Sequence, residues 1–427
     1  MTAADTHLAE RRTEKAMMRD GASLVAGAAL TSLIGVAAWV VAARLLPQTE
    51  VGHASAFVSG FLLVAGLGDL GLGAALLRWV PRAGRLRTVL LSRSYLVVLV
   101  GSLTTAGVIL LLPTGREIMR SLPQFGAAAF LVASLAWAVF QFQDSVLVSL
   151  GRARWVPFEN ASIGLARVGI LAVAGATLGT AGILLSWFAP AVAGVAVISV
   201  LLYRVLTRQP APEVANPVLP DRREVFRLLA PTFTAKATGG LLNDLVPLLV
   251  VERFGPATGA VFFLVWMAGN SVDYAAISFS QSVSVRVAHE PGRTSRFFGL
   301  GCRRLGAVFV PALILAVVFA HPLLSVFGAD YADEGAWLLR LVLLGCVPRL
   351  LVTLVISVGI AHARGRLVAA LEGGSAVAML GVVVLAPVGR VDLVGVGFLG
   401  VQCVLALAAA GAQWRWHRRA KGEGQPT

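Results

Sequence analysis

Charged residues are scarce in this sequence. Asp, Glu, Lys and Arg together make up 14% of its 427 residues, whereas a soluble domain carries roughly 25%. The chain therefore lacks the polar surface that a soluble globular protein needs. The formal net charge of +14 could point to nucleic acid, but the charges cluster in short segments between long apolar runs. Membrane orientation explains that placement, so we expect no nucleic-acid partner.

Residues that bind metals or nucleotides are also few. Cys302, Cys346 and Cys403 lie far apart, which favours neither a disulfide framework nor a metal site. The six histidines lack ligand spacing, and no Walker A sequence is present. The acidic segment 330–334 has no further ligands in its short loop. We therefore expect no metal, no cofactor and no ATP hydrolysis.

Long apolar runs are what the sequence does contain, with 57% hydrophobic residues and a mean hydropathy of +0.81. A membrane-spanning helix needs about 20 mostly apolar residues. The first run has no clear cleavage site and is expected to be a retained span. The sequence thus predicts an all-α polytopic membrane protein with about twelve transmembrane helices, at 22–43, 54–77, 92–112, 125–149, 159–179, 182–203, 228–251, 258–281, 304–320, 336–359, 367–386 and 393–411.

Lys and Arg counts fix the expected orientation, because cytoplasmic loops carry the excess of these residues. Of the 36 Lys and Arg residues, twenty-seven fall on the side of the N-terminus and five on the opposite side. The excess alternates at every loop, and a missed or invented span would destroy that alternation. We expect both termini in the cytoplasm of a bacterial cell, and the chain in its inner membrane.

A proline-rich, charged connector after the sixth span divides the chain into six spans plus six. The two halves echo each other weakly, since the turn from Pro47 to Gly52 resembles that from Pro256 to Gly259. Parallel repeats of this kind occur in secondary transporters. The predicted organisation is a cytoplasmic segment 1–21, an N-lobe 22–204, a linker 205–227, a C-lobe 228–411 and a cytoplasmic tail 412–427.

Glycines crowd the second and twelfth spans, and small residues allow helices to approach closely in lipid. We interpret these glycines as packing residues. They are Gly66, Gly68, Gly71, Gly73, Gly395, Gly397 and Gly400.

Several charged residues lie inside the predicted spans. Each costs about 2.5–3.5 kcal/mol at the bilayer centre unless it meets a partner or water. One interpretation is that they line an aqueous cavity, and the other is that they form interhelical pairs that fix the packing. Asp144 and Arg340 lie nearer span ends and could snorkel. The set is Asp69, Asp144, Arg167, Lys236, Asp244, Asp273, Arg340 and Arg349.

Helical spacing relates some of these residues to polar neighbours. Lys236 and Asn243 are seven residues apart and share a face of the seventh span, with Asp244 about 80° further round. Asn270 and Asp273 share a face of the eighth span. The polar faces are therefore concentrated in particular spans.

Several segments resemble a known superfamily. Ala43-Arg-Leu-Leu-Pro47 with Val51-Gly52, and the glycine-rich run 66–73, are similar to the first two spans of polysaccharide-unit flippases. So is Leu150-Gly-Arg152-Ala-Arg154. The order of segments from Leu324-Ser-Val-Phe-Gly328 to Gly395-Val-Gly resembles the C-terminal half of the multidrug/oligosaccharidyl-lipid/polysaccharide (MOP) exporter superfamily, in its polysaccharide-unit, O-antigen-type flippase branch.

The resemblance implies two six-helix lobes around a central cavity that opens alternately to each side. It implies a flippase, not an enzyme, that moves a polyprenyl-diphosphate glycan to the outer leaflet for cell-surface polysaccharide synthesis. Basic cavity residues would attract the diphosphate, here Lys236, Arg349 and Arg167. Acidic cavity residues would couple movement to protons or sodium, here Asp69, Asp244, Asp273 and Asp144, and polar ones would be Asn243 and Asn270.

Two rival functions remain. A cation-coupled multidrug or metabolite exporter of the same superfamily would be expected to have a mostly acidic and aromatic cavity. A membrane glycan polymerase would need a large exterior loop, whereas the longest exterior connection predicted here is 321–335. The expected partners of a flippase are its lipid-linked glycan, membrane lipids, and a polysaccharide polymerase or glycosyltransferases, and we expect a monomer.

Overall fold

The computed structural model describes residues 32–121, 126–208, 214 and 216–422, and these ranges contain helices and no strand. The predicted segment 1–21 lies outside them. The α-helices are α1 (Ser32–Leu45), α2 (Gln48–Gly68), α3 (Leu72–Ala83), α4 (Arg87–Leu111), α5 (Pro113–Ser121), α6 (Gly126–Ser149), α7 (Trp155–Leu178), α8 (Thr180–Arg208), α9 (Arg222–Gly240), α10 (Val246–Phe254), α11 (Pro256–His289), α12 (Thr294–Val318), α13 (Ala320–Ser325), α14 (Ala329–Ala361), α15 (Gly365–Leu385) and α16 (Asp392–Gly422).

The predicted membrane architecture is confirmed. Nine helical segments of the described residues are long and apolar enough to cross a membrane. One of these segments, Gln48–Leu111, contains both α2 and α4. Together with α1 and the α9–α10 pair, they give the twelve crossings that the sequence predicts. The chain is an all-α, multi-pass membrane protein.

Most helices extend beyond the predicted spans, since hydropathy marks only the part of a helix that lies in the hydrocarbon. Helix α12 begins at Thr294 and not near residue 304, and its early turns carry the exposed residues Arg296 and Arg303. Helix α9 likewise begins at Arg222, inside the predicted linker. A count of apolar residues does not detect polar first turns of this kind.

The prediction of one continuous second span, 54–77, is wrong. Helix α2 ends at Gly68 and α3 starts at Leu72, because Leu70 and Gly71 adopt positive φ angles of 51° and 82°. Glycine tolerates this left-handed conformation, and a Cβ at Gly71 would lie 2.9 Å from the side chain of Thr232. The break falls directly after Asp69, which places that carboxylate at a helix junction.

Two compact units make up the structure. In the described ranges the first unit comprises 32–46, 64–109 and 126–233, and the second comprises 47–63, 110–121 and 234–422. The division into lobes at the linker, inferred from sequence, stays a prediction. In the first unit α2 and α4 cross closely, since a Cβ at Gly68 would lie 2.7 Å from the backbone of Ser102.

Helix α14 forms the core of the second unit, with 72% of its apolar stretch buried. It packs against α11 and α16, and its buried residues Val352 and Val355 join Leu371 of α15 and Ala409 of α16 in one apolar cluster. A polar side chain on this helix is therefore held by well-packed surroundings.

The two turns that resemble each other in sequence meet inside the second unit. Gly52 of α2 lies against Pro256, the first residue of α11, so closely that a Cβ at Gly52 would fall on the Pro256 carbonyl oxygen. Only glycine permits this approach.

The glycine interpretation holds for most of the seven positions. Substituents at Gly68, Gly71, Gly73, Gly395 and Gly397 would strike neighbouring atoms, but Gly66 and Gly400 have no neighbouring atom within 4 Å of an added methyl group. Packing therefore does not explain these last two glycines.

Candidate functional site

A polar pocket of about 100 Å³ lies within the second unit. Its walls come from α9, the segment that follows α9, α11, α14 and α15. Beside small and apolar side chains it has seven polar lining residues, Thr238, Asn243, Asn270, Asp273, Tyr274, Arg349 and Glu372. Four of these were predicted as site residues from the sequence, so the fold brings together residues from three separate crossings.

Arg349 and Asp273 form a bidentate ion pair at this pocket. The Arg349 Nε donates to Asp273 Oδ1 at 3.2 Å and Nη2 donates to Oδ2 at 3.1 Å. The two side chains are only 12% and 20% exposed. Thr353, one turn further along α14, donates its hydroxyl to Asp273 Oδ1 at 3.0 Å. The carboxylate is thus fixed by three hydrogen bonds, and the guanidinium is fixed with it.

One donor of Arg349 is not used by this pair. Its Nη1 atom is buried and has no hydrogen-bond partner among the described residues. A guanidinium carries five N–H donors in a fixed plane, and an unmade hydrogen bond to a buried charged group is costly. The geometry therefore leaves a positively charged donor at the pocket that an anionic oxygen would satisfy.

The seventh crossing contains a π-helical segment, Leu241–Leu245, between α9 and α10. Such segments occur frequently at functional sites. The wider turn alters the simple α-helical spacing that related Lys236 to Asn243. Asn243 lines the pocket, whereas Lys236 is exposed, has contacts of its own and is not among the lining residues.

Asp244 follows Asn243 in the π-helical segment and is half-buried. One of its carboxylate oxygens would lie 4.0 Å from a Cβ at Gly240, and Leu63 of α2 also packs near that glycine. Asp244 is not among the residues that line the pocket. Its role as an acidic cavity residue stays a prediction.

Glu372 is a pocket residue that the sequence analysis missed. It lies on α15 and lines the pocket together with Arg349 and Asp273. The available signal was simple, since it is the one acidic residue within the predicted span 367–386. Intramembrane acidic residues are functional candidates by default, and applying that rule to every span would have found it.

The predicted residues Asp144 and Arg167 lie in the first unit. Asp144 Oδ2 accepts a hydrogen bond from Asn160 at 3.2 Å. The Arg167 guanidinium stacks over the Trp187 ring, with its carbon 3.5 Å from the ring centroid. Cation–π stacking of this kind stabilises a desolvated guanidinium. Arg167 therefore has an aromatic partner, whereas an interhelical pair was one alternative inferred from sequence.

Glu159 is a second acidic residue missed in the sequence. It is 8% exposed at the start of α7, and neither of its carboxylate oxygens has a hydrogen-bond partner in the described part of the chain. It lines an apolar groove of about 360 Å³ between α7 and α8. It was overlooked because it lies at the first residue of the predicted span 159–179.

Asp69 has a structural role at the break between α2 and α3. Its Oδ1 atom accepts a hydrogen bond from the Gly73 N–H at 3.0 Å, and the residue is 7% exposed. Asp69 lies two residues before Gly71, the N-cap residue of α3, and its carboxylate supplies a partner for one of the free N–H groups of the first helical turn, as a capping side chain does. The capping geometry accounts for the position of this residue without any bound cation.

Replacing Asp69 separates capping from cation coupling. Asp69→Asn keeps an oxygen acceptor and loses the charge, so we expect little change in stability, whereas Asp69→Ala should cost about 1 kcal/mol. Thermal unfolding of the purified protein measures both effects, and transport is measured alongside. Loss of transport in Asp69→Asn at unchanged stability would contradict the capping account and assign the charge a coupling role.

A histidine–carboxylate contact joins α2 and α5 in the second unit. His53 Nδ1 lies 2.8 Å from Glu117 Oε1, and Arg120 lies 3.2 Å from Oε2. Close contact with the His53 imidazole is the main cause that lowers the pKa of Glu117 below its usual value of 4.5, with Arg120 adding to it and burial opposing it. Glu117 belongs to the short helix α5, between two crossings.

This contact predicts an acid-dependent stability. Because its pKa is lowered on folding, ionised Glu117 stabilises the protein above pH 4.5, and the stabilisation is lost as the pH falls through the lowered folded-state value. Glu117→Gln should thus melt below wild type near neutral pH, and the difference should shrink in acid. Glu290→Gln, from an exposed pair with Arg293, is the control. A gap that stays constant with pH would contradict the assignment.

The described residues contain no group of three or more His, Cys, Asp or Glu side chains that could hold a metal ion. All three cysteines are free thiols.

Comparison with known proteins gives the family. Residues 17–262 match the family described as polysaccharide biosynthesis protein, and this match covers more than half of the chain. The chain belongs to that family. No protein of curated function matches its sequence.

Solved structures of transporters share its fold. An inward-facing multidrug resistance MATE family transporter of the MOP superfamily aligns with a TM-score of 0.68 at 13% identity, over 91% of this chain and 94% of that one. The lipid II flippase MurJ, in an inward closed conformation, aligns with a TM-score of 0.69 at 10% identity, over 91% and 86%. The similarity to the MOP superfamily inferred from sequence is confirmed at the level of the fold.

A third similar structure is a MOP superfamily transporter from Pyrococcus furiosus. It aligns with a TM-score of 0.60 at 14% identity, over 95% of this chain and 96% of that one. A reverse polarity of the binding pocket is described for that protein and is taken to suggest a different function. Members of one fold therefore differ in the charge of their pockets.

Proposed function

We propose that this chain is a flippase that moves a lipid-linked oligosaccharide, a polyprenyl-diphosphate glycan, across the cytoplasmic membrane for cell-surface polysaccharide synthesis. The observation that carries the proposal is Arg349, which lines a polar pocket and has a buried Nη1 donor without a partner among the described residues. The family, described by polysaccharide biosynthesis, supports the glycan part of the cargo.

Arg349 suits a diphosphate for electrostatic reasons. Arginine–phosphate hydrogen bonds are charge-assisted and stronger than neutral ones, and the pair with Asp273 holds the guanidinium plane before the cargo arrives. Preorganised donors lose little entropy on binding. The predicted diphosphate contacts of Lys236 and Arg167 remain part of this proposal.

Glu372 supports a coupling role beside the basic residue. Its carboxylate lines the same pocket as Arg349 and Asp273, so two acidic residues face one arginine. A proton or a sodium ion on Glu372 would cancel one negative charge and make the pocket more attractive to a diphosphate. The acidic residues Asp244 and Asp144 are further candidates for coupling.

The second candidate function is export of cationic drugs or metabolites. The observation that favours it is the excess of carboxylates among the charged lining residues, Asp273 and Glu372 against Arg349. In that case Glu372 would bind the cargo directly. The two functions predict opposite cargo charges, so one assay separates them.

The proposed membrane placement follows from the distribution of Lys and Arg. Both termini lie in the cytoplasm, the chain functions as a monomer without enzymatic activity, and it works beside a polysaccharide polymerase or glycosyltransferases.

Cargo selectivity in proteoliposomes tests the proposal. The purified protein is reconstituted, and three fluorescent cargoes are offered: a polyprenyl-diphosphate oligosaccharide, the same glycan on a neutral lipid, and a cationic dye. We expect movement of the diphosphate cargo only. Movement of the dye, driven by a proton or sodium gradient, with no movement of the diphosphate cargo would overturn the flippase and establish the exporter.

A further inference from the structure

A basic groove of about 670 Å³ lies in the first unit, at the end of α3 and the start of α9. Arg78 and Arg82 come from α3, and Arg223 and Arg227 come from α9. Each pair is four residues apart, so its two members share one helix face. The groove is therefore walled by two arginine faces on two different helices.

The charges in this groove are not balanced. Four arginines face two acidic residues, Asp221 and Glu224. Glu224 is shared, since its Oε1 lies 3.0 Å from Arg82 Nη1 and 3.9 Å from Arg78 Nε. Asp221 is engaged with the backbone, accepting from the Glu224 N–H at 2.6 Å. Arg223 and Arg227 form no ion pair with any residue that the structure describes.

Like charges four residues apart destabilise a helix, and orientation in a membrane needs only the number of basic residues on one side. The two arginine pairs of this groove therefore destabilise their helices, and membrane orientation does not require that the arginines lie so close together. The N-terminus of α9 adds its positive end of the helix dipole at the same place. An anion in the groove would remove the repulsion.

Phe226 gives the groove an apolar contact as well. It lies between Arg223 and Arg227, lines the groove and is 77% exposed. Arg223, Phe226 and Arg227 are spaced at three and four residues and share a face. An exposed aromatic ring beside arginines fits an amphiphile with a charged head and an apolar chain.

We propose that this groove binds the phosphate or diphosphate head group of a lipid, with Arg223 and Arg227 as the principal anion contacts and Phe226 against the first part of the lipid chain. The inference rests on the proposed function, which places the groove on the cytoplasmic side of the membrane. A lipid-linked cargo is made available on that side. The site is separate from the pocket at Arg349 and would receive the lipid before transport.

Ligand titrations of the full-length protein in detergent test the site. The probes are a short-chain prenyl diphosphate and inorganic diphosphate, with wild type, the double variant Arg223→Gln/Arg227→Gln, and Phe226→Ala. We expect the double variant to bind both probes about ten-fold more weakly or worse at the groove, so that only the binding that depends on Arg349 remains. Phe226→Ala should weaken only the prenyl diphosphate. The matched control, Arg296→Gln/Arg303→Gln, removes two exposed arginines that line none of the pockets above and should bind as wild type does.

Unchanged binding in the double variant would overturn the anion site. Equal binding of both probes in wild type, with no effect of Phe226→Ala, would overturn the lipid part. Vesicles of phosphatidylglycerol identify the source of the head group. If the vesicles displace the prenyl diphosphate, the groove binds bilayer phospholipid. If they do not displace it, the groove binds the diphosphate carrier. Because no step measures transport, groove-dependent binding stands even where no cargo moves.

Discussion

Arg349→Ala should unfold at a lower temperature than wild type and lose transport of a diphosphate-linked cargo. The substitution leaves the half-buried carboxylate of Asp273 with only the Thr353 hydroxyl as its partner. Removing one member of a fully buried ion pair costs about 3–5 kcal/mol, and we expect a smaller loss here because the Asp273 side chain is 20% exposed. Thermal unfolding of the purified protein measures the first effect, and proteoliposome transport measures the second.

A charge-balanced variant separates the two effects of this substitution. In Arg349→Ala/Asp273→Ala neither member of the ion pair is left without the other, so we expect most of the lost stability to return. Transport should stay low, because the free Nη1 donor is absent. Arg390→Ala is the matched control, since Arg390 forms an equally bidentate pair with Asp392 but is 60% exposed. Exposed pairs contribute about 0–1 kcal/mol, and this variant should resemble wild type.

Stability recovered together with transport in the double variant would contradict a cargo role for Arg349 and leave the ion pair as a purely structural feature. A double variant as unstable as the single one would contradict the ion-pair account of the lost stability.

Gly52→Ala should destabilise the protein nearly as strongly. The new methyl group would fall on the carbonyl oxygen of Pro256 at the start of α11, and a backbone atom cannot rotate away. Overpacking costs about 1–3 kcal/mol, and more where the backbone must shift. We expect a lower unfolding temperature and a slower transport rate, because α2 and α11 can no longer approach within the second unit.

Gly66→Ala on the same helix is the control for that substitution. Gly66 has nothing within 4 Å of an added Cβ, and alanine is favoured over glycine in a helix by up to about 1 kcal/mol. Its unfolding temperature should stay unchanged or rise. Equal losses in both variants would show that helix propensity and not the contact with Pro256 governs the stability of α2.

The crossings were predictable because each is a long run of apolar residues. Apolar residues also cover the outer surface of the helices, where Leu111 and Val173 are exposed. Hydropathy reports the thickness of the hydrocarbon layer, so it places a span and misses its ends. The break after Asp69 was not predictable in this way, since Leu70 is apolar and only its positive φ interrupts the helix.

The candidate site was predictable residue by residue but not as an arrangement. Asp273 and Arg349 stood out because charge is rare in a span, yet a single sequence offers no means of deciding that two residues 76 positions apart form an ion pair. Both alternatives for these residues apply together, since they pair with each other and also line a pocket. The π-helical segment at Leu241–Leu245 was not predictable either. The α-helical spacing that related Asn243 to Lys236 assumes about 3.6 residues per turn throughout the helix, and a π-helical turn is wider.

The transport rate of the charge-balanced variant tests the central claim most directly. A fluorescent polyprenyl-diphosphate oligosaccharide is reconstituted with wild type, with Arg349→Ala/Asp273→Ala and with Arg390→Ala, and its appearance in the opposite leaflet is followed over time. The account predicts a rate at least about ten-fold below wild type for the charge-balanced variant, which is the effect of losing one charge-assisted hydrogen bond, and a wild-type rate for the control. A charge-balanced variant that is folded and moves the cargo at the wild-type rate would contradict it.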